Sequence, residues 1–265
     1  MMNTVWILAA AAVVCSAQSA ETRQARAKRV VDEAIQALGG PAFLHIKDRV
    51  ESGRSYSFDN GKLAGTILTT IYIRYLPPVP GKVEMLEKDA FGKIDESTSG
   101  LLYTPEGNYD YTFHGARPLE EQRLTDHNDN VLRNIFYILR QRLDEPGMNL
   151  YSQGADIWEN RAVEVVDITD GDNNTVTVYF SKNDKVPVRQ TFRRRNVTYG
   201  DFDTEVTLFA KYHTTEGIQW PMDVRRDRNG VKVYEMYSDS VEFNKGLTDN
   251  VFSLPSKLKV LPKGK

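Results

Sequence analysis

Along most of the chain, hydrophobic residues alternate with polar ones at every second position, which is the pattern of half-buried β-strands. The alternation predicts one hairpin from Val50 to Tyr75, turning at Asp59-Asn60-Gly61, and a second from Val83 to Tyr103. From Val163 it predicts a further series of strands that ends with Val231 to Phe243. Nearly every strand has one apolar and one polar face, which indicates a single antiparallel sheet curved into a barrel or half-barrel.

Helical periodicity replaces this alternation in two segments. Arg26 to Leu38 is apolar at helical spacing and is followed by Gly39-Gly40, which ends a helix. Asn128 to Leu143 is the stronger case, with Asn128 or Asp129 as the N-cap. Its predicted apolar face consists of Val131, Leu132, Ile135, Phe136, Leu139 and Leu143, and its opposite face of Arg133, Arg140, Gln141 and Arg142. Such a helix docks on the sheet either as an ordinary core element or as a lid over a cavity.

The N-terminus has the pattern of an export signal. Val5 to Cys15 is an uncharged apolar run that is too short to span a bilayer, and small residues follow it. We therefore expect residues 1–20 to be a signal peptide cleaved between Ala17 and Ala20. Cys15 is the only cysteine, and Val14 precedes it where a lipid-attachment signal needs a small residue. We expect no lipid anchor and, after cleavage, no disulfide or thiolate site.

Composition and charge narrow the function classes further. The chain has 265 residues and a net charge of −2, so no global basic field points to a nucleic-acid partner. No Gly/Ser-rich linker divides residues 21–265, which we interpret as one domain. The basic clusters Arg193-Arg194-Arg195 and Arg225-Arg226-Asp227-Arg228 are expected to be solvated charges on strand edges.

No catalytic motif is present: the sequence contains no nucleophile elbow, P-loop, dinucleotide fingerprint or zinc-protease helix. Asp170, Asp172 and Asn174 have calcium-loop spacing, but Thr175 and Ser181 stand where that loop needs glycine and an acid, so we predict a turn. We expect no enzyme activity, no metal site and no cofactor. The histidines are scattered singly, at His45, His114, His127 and His213.

The segment from Gly217 to Pro255 resembles the C-terminal signature of the outer-membrane lipoprotein-sorting proteins, the LolA/LolB-like superfamily. A strand begins near a Trp-Pro step, Trp220-Pro221, and after a hairpin a long strand closes at Asn244. The hairpin from Val176 to Arg189 also resembles one of that family. The ending of the signature is matched by Leu247, Asp249, Phe252, Leu254 and Pro255.

The resemblance implies an unclosed, strongly curved antiparallel β-barrel, with an N-terminal helix and a central amphipathic helix covering an apolar cavity. LolA-like members carry acylated lipoproteins across the periplasm. The resemblance therefore implies a periplasmic monomer that binds acyl chains of lipoproteins or related lipids and contacts envelope membrane proteins transiently. The alternative is an RseB-like sensor or scaffold that binds a membrane-protein partner through the same groove.

With this resemblance, we expect the central helix to act as a lid over an incompletely packed interior. A carrier needs a cavity of roughly 300–1,000 Å³ lined mainly by apolar side chains. The expected lining and lid residues are Ile67, Ile71, Ile73, Leu132, Ile135, Phe136, Leu139, Val206, Leu208, Trp220 and Met222.

Overall fold

The computed structural model describes residues 21–93, 99–196, 199–256 and 258–262. The predicted signal peptide with Cys15, and Ile94 in the second predicted hairpin, lie outside these residues. The first half of the chain forms strands β1 (Asp48–Asp59), β2 (Lys62–Tyr75), β3 (Met85–Phe91), β4 (Ser99–Thr104), β5 (Gly107–Thr112) and β6 (Gly115–Pro118). The second half forms β7 (Asn149–Trp158), β8 (Arg161–Thr169), β9 (Thr175–Ser181), β10 (Pro187–Arg195), β11 (Phe202–Thr215), β12 (Ile218–Arg228) and β13 (Val231–Phe243).

These strands form one antiparallel sheet of 13 strands, in the order β6-β5-β4-β3-β2-β1-β13-β12-β11-β10-β9-β8-β7. The two halves of the chain meet in the middle, where β1 pairs with β13. Among the described residues, the edge strands β6 and β7 do not pair with each other, so the sheet stays open. This confirms the predicted unclosed, mainly β architecture.

The N-terminal helix α1 (Arg23–Leu38) and the short α2 (Pro41–Leu44) pack on one side of the sheet, which we call its inner face. Thr22 caps α1 by accepting a hydrogen bond from the Ala25 N–H at 3.1 Å. Gly39 ends it with a φ of 126°. A Cβ at this position would lie 2.6 Å from the Gly217 carbonyl oxygen, so the close approach to the sheet requires glycine.

The central helical segment is two elements rather than one. Helix α3 (Glu121–Leu132) begins before Asn128, and α4 (Ile135–Tyr137) continues into a π-helical turn (Ile138–Arg142). The chain leaves helical geometry at Asn134, whose side-chain oxygen accepts a hydrogen bond from the Phe136 N–H at 2.9 Å and so caps α4. The prediction of one helix from Asn128 to Leu143 is therefore wrong.

Part of the predicted polar face of that helix is also buried. Arg142 is 4% exposed and reaches the Glu145 carboxylate at 2.8 Å and the Asp170 carboxylate at 3.3 Å. The acids offset the cost of burying this guanidinium, which periodicity alone assigns to solvent. Asp170 also accepts a hydrogen bond from the Asn174 N–H at 2.9 Å, which gives the predicted turn.

The main hydrophobic core fills one part of the inner face. Helices α1, α2 and α4 cover the strands of the second half there, and Ile135, Phe136 and Leu139 belong to this core at 0%, 5% and 2% exposure. α4 and its π-helical turn are thus a packed core element. Helix α3 has no buried residue and covers a different part of the same face.

The C-terminal segment covers the outer face of the first half of the sheet. Phe252, in a 3₁₀ turn (Asp249–Phe252), packs with Tyr72, Leu86 and Tyr111. Asp48 anchors the start of this segment by accepting hydrogen bonds from the backbone N–H groups of residues 245, 246 and 247. No helix in the described ranges is long and apolar enough to cross a membrane.

Candidate functional site

A cavity of about 470 Å³ lies between the inner face of the sheet and the helical connection that joins β6 to β7. Strands β1 to β4 form one wall, strands β10 to β13 form the opposite wall, and α3 lies above. Phe136 at the start of α4 closes the end that borders the main core. The volume lies in the range that the sequence analysis predicts, but the expectation of a mainly apolar lining is wrong, because ionisable side chains supply much of the wall.

The register of β1 to β4 places charged and apolar side chains in shared rows. Residues directly opposite one another on neighbouring strands project to the same face. Each of two rows here carries an isoleucine flanked by charged residues on both neighbouring strands. The first row consists of Arg49, Ile73, Glu87 and Tyr103, and the second of Glu51, Ile71, Asp89 and Leu101. Because the isoleucines face the cavity, so do the charges beside them.

Arg49 and Glu51 form a buried ion pair beside Trp220. The guanidinium lies 4.6 Å from the indole centroid, and the indole N–H donates to the Glu51 carboxylate at 3.4 Å. Ser238 donates a further hydrogen bond to the same carboxylate. Glu51 is therefore neutralised and solvated by protein groups, which makes this charge pair a fixed part of the wall.

Glu87 and Asp89 form an acidic pair facing His127 of α3, whose Nε2 is 3.5 Å from the Glu87 carboxylate. Burial raises the pKa of Glu87 to about 7, with Arg49 and Arg226 opposing the shift. Burial, followed by the Glu87 charge, raises the pKa of Asp89. Burial lowers the pKa of His127 to about 4, and its ring stacks on Tyr103 at 3.6 Å. Near neutral pH, the histidine is thus uncharged and Glu87 is only partly ionised.

Arginines line the opposite wall, where the sequence predicts solvated strand edges. Arg194 is 7% exposed and lies 3.1 Å from the Asp126 carboxylate of α3, so that prediction is wrong for this residue. Arg228 donates to Glu205 at 2.7 Å. The neighbouring acids on α3 and β11 offset the cost of burying Arg194, whereas the Arg228 side chain stays 43% exposed, as the sequence predicts.

The cavity face of α3 is polar. The residues that line the cavity follow helical spacing, at Arg123, Asp126, His127, Asn130 and Val131. Placing the helix start at Asn128 hides this pattern. The signal that identifies it is the recurrence of polar residues three and four positions apart from residue 123 onward.

Of the predicted lining residues, the structure brings Ile71, Ile73, Phe136 and Trp220 together around the cavity. Their role in ligand binding stays a prediction. The remaining predicted residues lie elsewhere. Ile135, Leu139 and Met222 pack in or against the main core, and Leu132 packs beside Ile73 and Tyr137.

Three lining predictions are corrected by the strand register. Ile67 is 42% exposed, because the cavity covered by α3 does not extend that far along β2. On β11, Thr207 and Phe209 line the cavity, so Val206 and Leu208 project to the other side. Alternation separates the two faces of a strand but does not identify the inner one.

Comparisons with known proteins identify the fold. No family model matches the chain, and no curated protein matches it. Among solved structures, a DUF1329 family protein from Desulfovibrio piger has a TM-score of 0.57 at 12% identity, covering 86% of this chain and 97% of that one. A Vibrio parahaemolyticus domain described as an outer-membrane lipoprotein-sorting protein has a TM-score of 0.56 at 13% identity, covering 85% and 97%.

A LolA superfamily protein from Nitrosomonas europaea has a TM-score of 0.50 at 10% identity, covering 86% of this chain and 97% of that one. The chain therefore has the open β-barrel fold of the LolA superfamily, as the C-terminal resemblance predicts. At these identities, the similarity concerns architecture, and function has to be argued from the cavity.

Proposed function

We propose that this protein is a non-enzymatic carrier that binds one acyl chain of a lipoprotein or related lipid in its inner cavity. The observation that carries the proposal is the cavity itself, about 470 Å³ with one strongly apolar end. The fold supports it as well, since one protein that shares this architecture is described as a lipoprotein-sorting protein. Periplasmic location, delivery to the outer membrane and transient contact with envelope membrane proteins belong to the same proposal.

The apolar end has the form that a hydrocarbon chain requires. Phe209, Val224 and Met236 lie directly opposite one another on three neighbouring strands and face the cavity. Phe136 packs on Trp220 with a ring-centroid distance of 4.8 Å and closes this end against the main core. Together these side chains form an apolar surface in an otherwise polar cavity.

The volume matches a single chain. A methylene group takes about the space of a water molecule, roughly 30 Å³, so 470 Å³ accommodates about fifteen of them. At about 0.8 kcal/mol for each buried methylene, such a chain gains about 12 kcal/mol before the cost of ordering it. That gain is sufficient for a carrier even if more than half is lost to ordering and to desolvation of the polar wall.

The test is whether the cavity holds lipid. Protein purified from its native envelope fraction should release acyl lipid on organic extraction, and the mass spectrum of the extract identifies it. Delipidated protein should bind a fluorescent fatty-acid probe. Absence of both would overturn the proposal, whereas a stable protein partner with an empty cavity would favour the sensor alternative.

A pair of variants tests whether the probe binds inside the cavity. Ile71→Trp adds a large side chain to the cavity wall and should weaken probe binding at least about tenfold, a loss of about 1.4 kcal/mol. Leu68→Trp is the matched control, because Leu68 lies on the same strand and is 37% exposed. Thermal unfolding verifies that both variants fold. Equal probe affinity in the two variants would contradict binding in this cavity.

A further inference from the structure

Arg226 differs from the other arginines of the cavity because it has no countercharge. Arg49 pairs with Glu51, Arg194 with Asp126 and Arg228 with Glu205, whereas no carboxylate in the described ranges forms an ion pair with Arg226. Its guanidinium lies 4.3 Å from the Tyr234 ring centroid, and its Nε is buried without a hydrogen-bond partner.

A cation in this position is costly unless an anion joins it. Arg226 is partly buried; even partial burial of a charge without a partner is unfavourable, and an aromatic face compensates for only part of that cost. The acids on the opposite wall form no ion pair with it, and burial raises the pKa of both Asp89 and Glu87, that of Glu87 to about 7, so below neutral pH Glu87 supplies little of the missing charge. Among the groups described here, Arg226 is therefore left without a paired anion at mildly acidic pH.

The register places this cation at the end of the apolar surface. Arg226 lies two residues beyond Val224 on β12, with Thr207 and Tyr234 directly opposite it on the neighbouring strands. The rise along a strand is about 3.3 Å for each residue, so this row lies about 7 Å from the apolar row. The next row contains the Arg228–Glu205 pair. A chain seated on the apolar row thus presents its polar end to Arg226.

We propose that the cavity selects lipids with an anionic group, which Arg226 binds while the chain lies against Phe209, Val224 and Met236. The ligand class is a single-chain amphiphile that carries a carboxylate or a phosphate, and this inference rests on the carrier function proposed above. Thr207 also lines the cavity, and its hydroxyl is a second candidate donor for the anion. Both anions suit a guanidinium, because its planar N–H groups match their paired oxygens.

The experiment compares three ligands of equal chain length with the wild-type protein at about pH 6, where a free carboxylate is ionised and Glu87, with a pKa of about 7, is mostly protonated. These are a fatty acid, a lysophosphatidic acid and the neutral fatty alcohol, each titrated against a neutral fluorescent lipid probe. At least one anionic ligand should bind about tenfold or more tightly than the alcohol, and the tighter of the two identifies the anion. If the alcohol binds as tightly as both anions, the inference is wrong and the carrier function stands. If none of the three binds, the carrier function fails.

A matched variant pair assigns the preference to one side chain. Arg226→Gln should remove the preference for the anion and leave alcohol affinity within about twofold. Arg225→Gln is the control, because Arg225 is the adjacent residue on the other face, has a 38% exposed side chain and pairs with Asp227 at 2.7 Å. It should leave both affinities unchanged. Equal effects of the two variants would refute a specific role for Arg226.

Should Arg226→Gln fail to fold, the wild-type comparison of anion and alcohol still decides the proposal. Thermal unfolding and alcohol binding report the folded state of each variant independently of the anion.

Discussion

Replacing Phe136 with alanine tests whether α4 belongs to a closed core or forms a movable lid. The ring is 5% exposed and lies 4.8 Å from Trp220, 5.1 Å from Phe209 and 6.5 Å from Phe43, measured between ring centroids. Phe→Ala substitutions in packed cores cost about 3–5 kcal/mol. One side of this ring borders the cavity and lacks partner atoms there, so we expect the lower end, about 3 kcal/mol.

Urea unfolding measures this loss directly, and thermal unfolding provides a second measure. A loss of about 3 kcal/mol lowers the Tm of a domain of this size by roughly 6–12 °C. Phe113→Ala is the control, because Phe113 is 73% exposed, and it should change stability by no more than about 0.5 kcal/mol. If Phe136→Ala costs no more than this control, the aromatic cluster is not a closed core and α4 is the movable lid that the sequence predicts.

Two further predictions concern buried carboxylates. Asp48 accepts hydrogen bonds from the N–H groups of Lys245 at 2.6 Å and Gly246 at 2.9 Å. Asp48→Ala should therefore lower the free energy of unfolding, measured in urea, by about 3 kcal/mol. Asp239 is exposed and provides the control, and an equal loss in Asp239→Ala would contradict the prediction. Burial raises the pKa of Glu87 from 4.5 to about 7, so the folded state binds the proton more tightly than the unfolded state. The free energy of unfolding should therefore fall as the pH rises from 4.5 to about 7. Glu87→Gln should flatten this fall, and an unchanged pH profile would refute the assignment.

Much of the sheet is predictable because its signals are local. The alternation from Val163 onward gives β8 to β13, and Asn229-Gly230 marks the last turn. Strand β7 (Asn149–Trp158) escapes prediction because it lies at the sheet edge with most of its residues exposed or only partly buried, which removes the alternation. An edge strand with little burial gives no periodic pattern to detect.

The central helix shows where a correct pattern leads to a wrong element. The apolar spacing of Ile135, Phe136 and Leu139 is real, and these residues do face the core. The break at Asn134 is not visible in that spacing, because asparagine is compatible with a helix interior as well as with an N-cap. Gln190 completes the break by accepting a hydrogen bond from the Ile135 N–H at 2.9 Å, a contact between residues 55 positions apart.

The polar lining of the cavity is not visible in the sequence, for a related reason. Charged residues on alternating strands are normally solvent-facing, so the cluster that contains Arg226 is expected at a solvated strand edge, and the local pattern gives no reason to place Arg49 or Glu87 inside. Their inward orientation depends on rows that join residues far apart in the chain, and on α3 covering those rows without filling them. Fold stability alone favours apolar residues at such positions, because burying charges costs more than it returns. The charges that contradict the local pattern are concentrated around one cavity, as expected of a site kept for a ligand. Arg226 is the sharpest case, because this partly buried cation has no ion-pair partner among the described residues and its Nε has no hydrogen-bond partner.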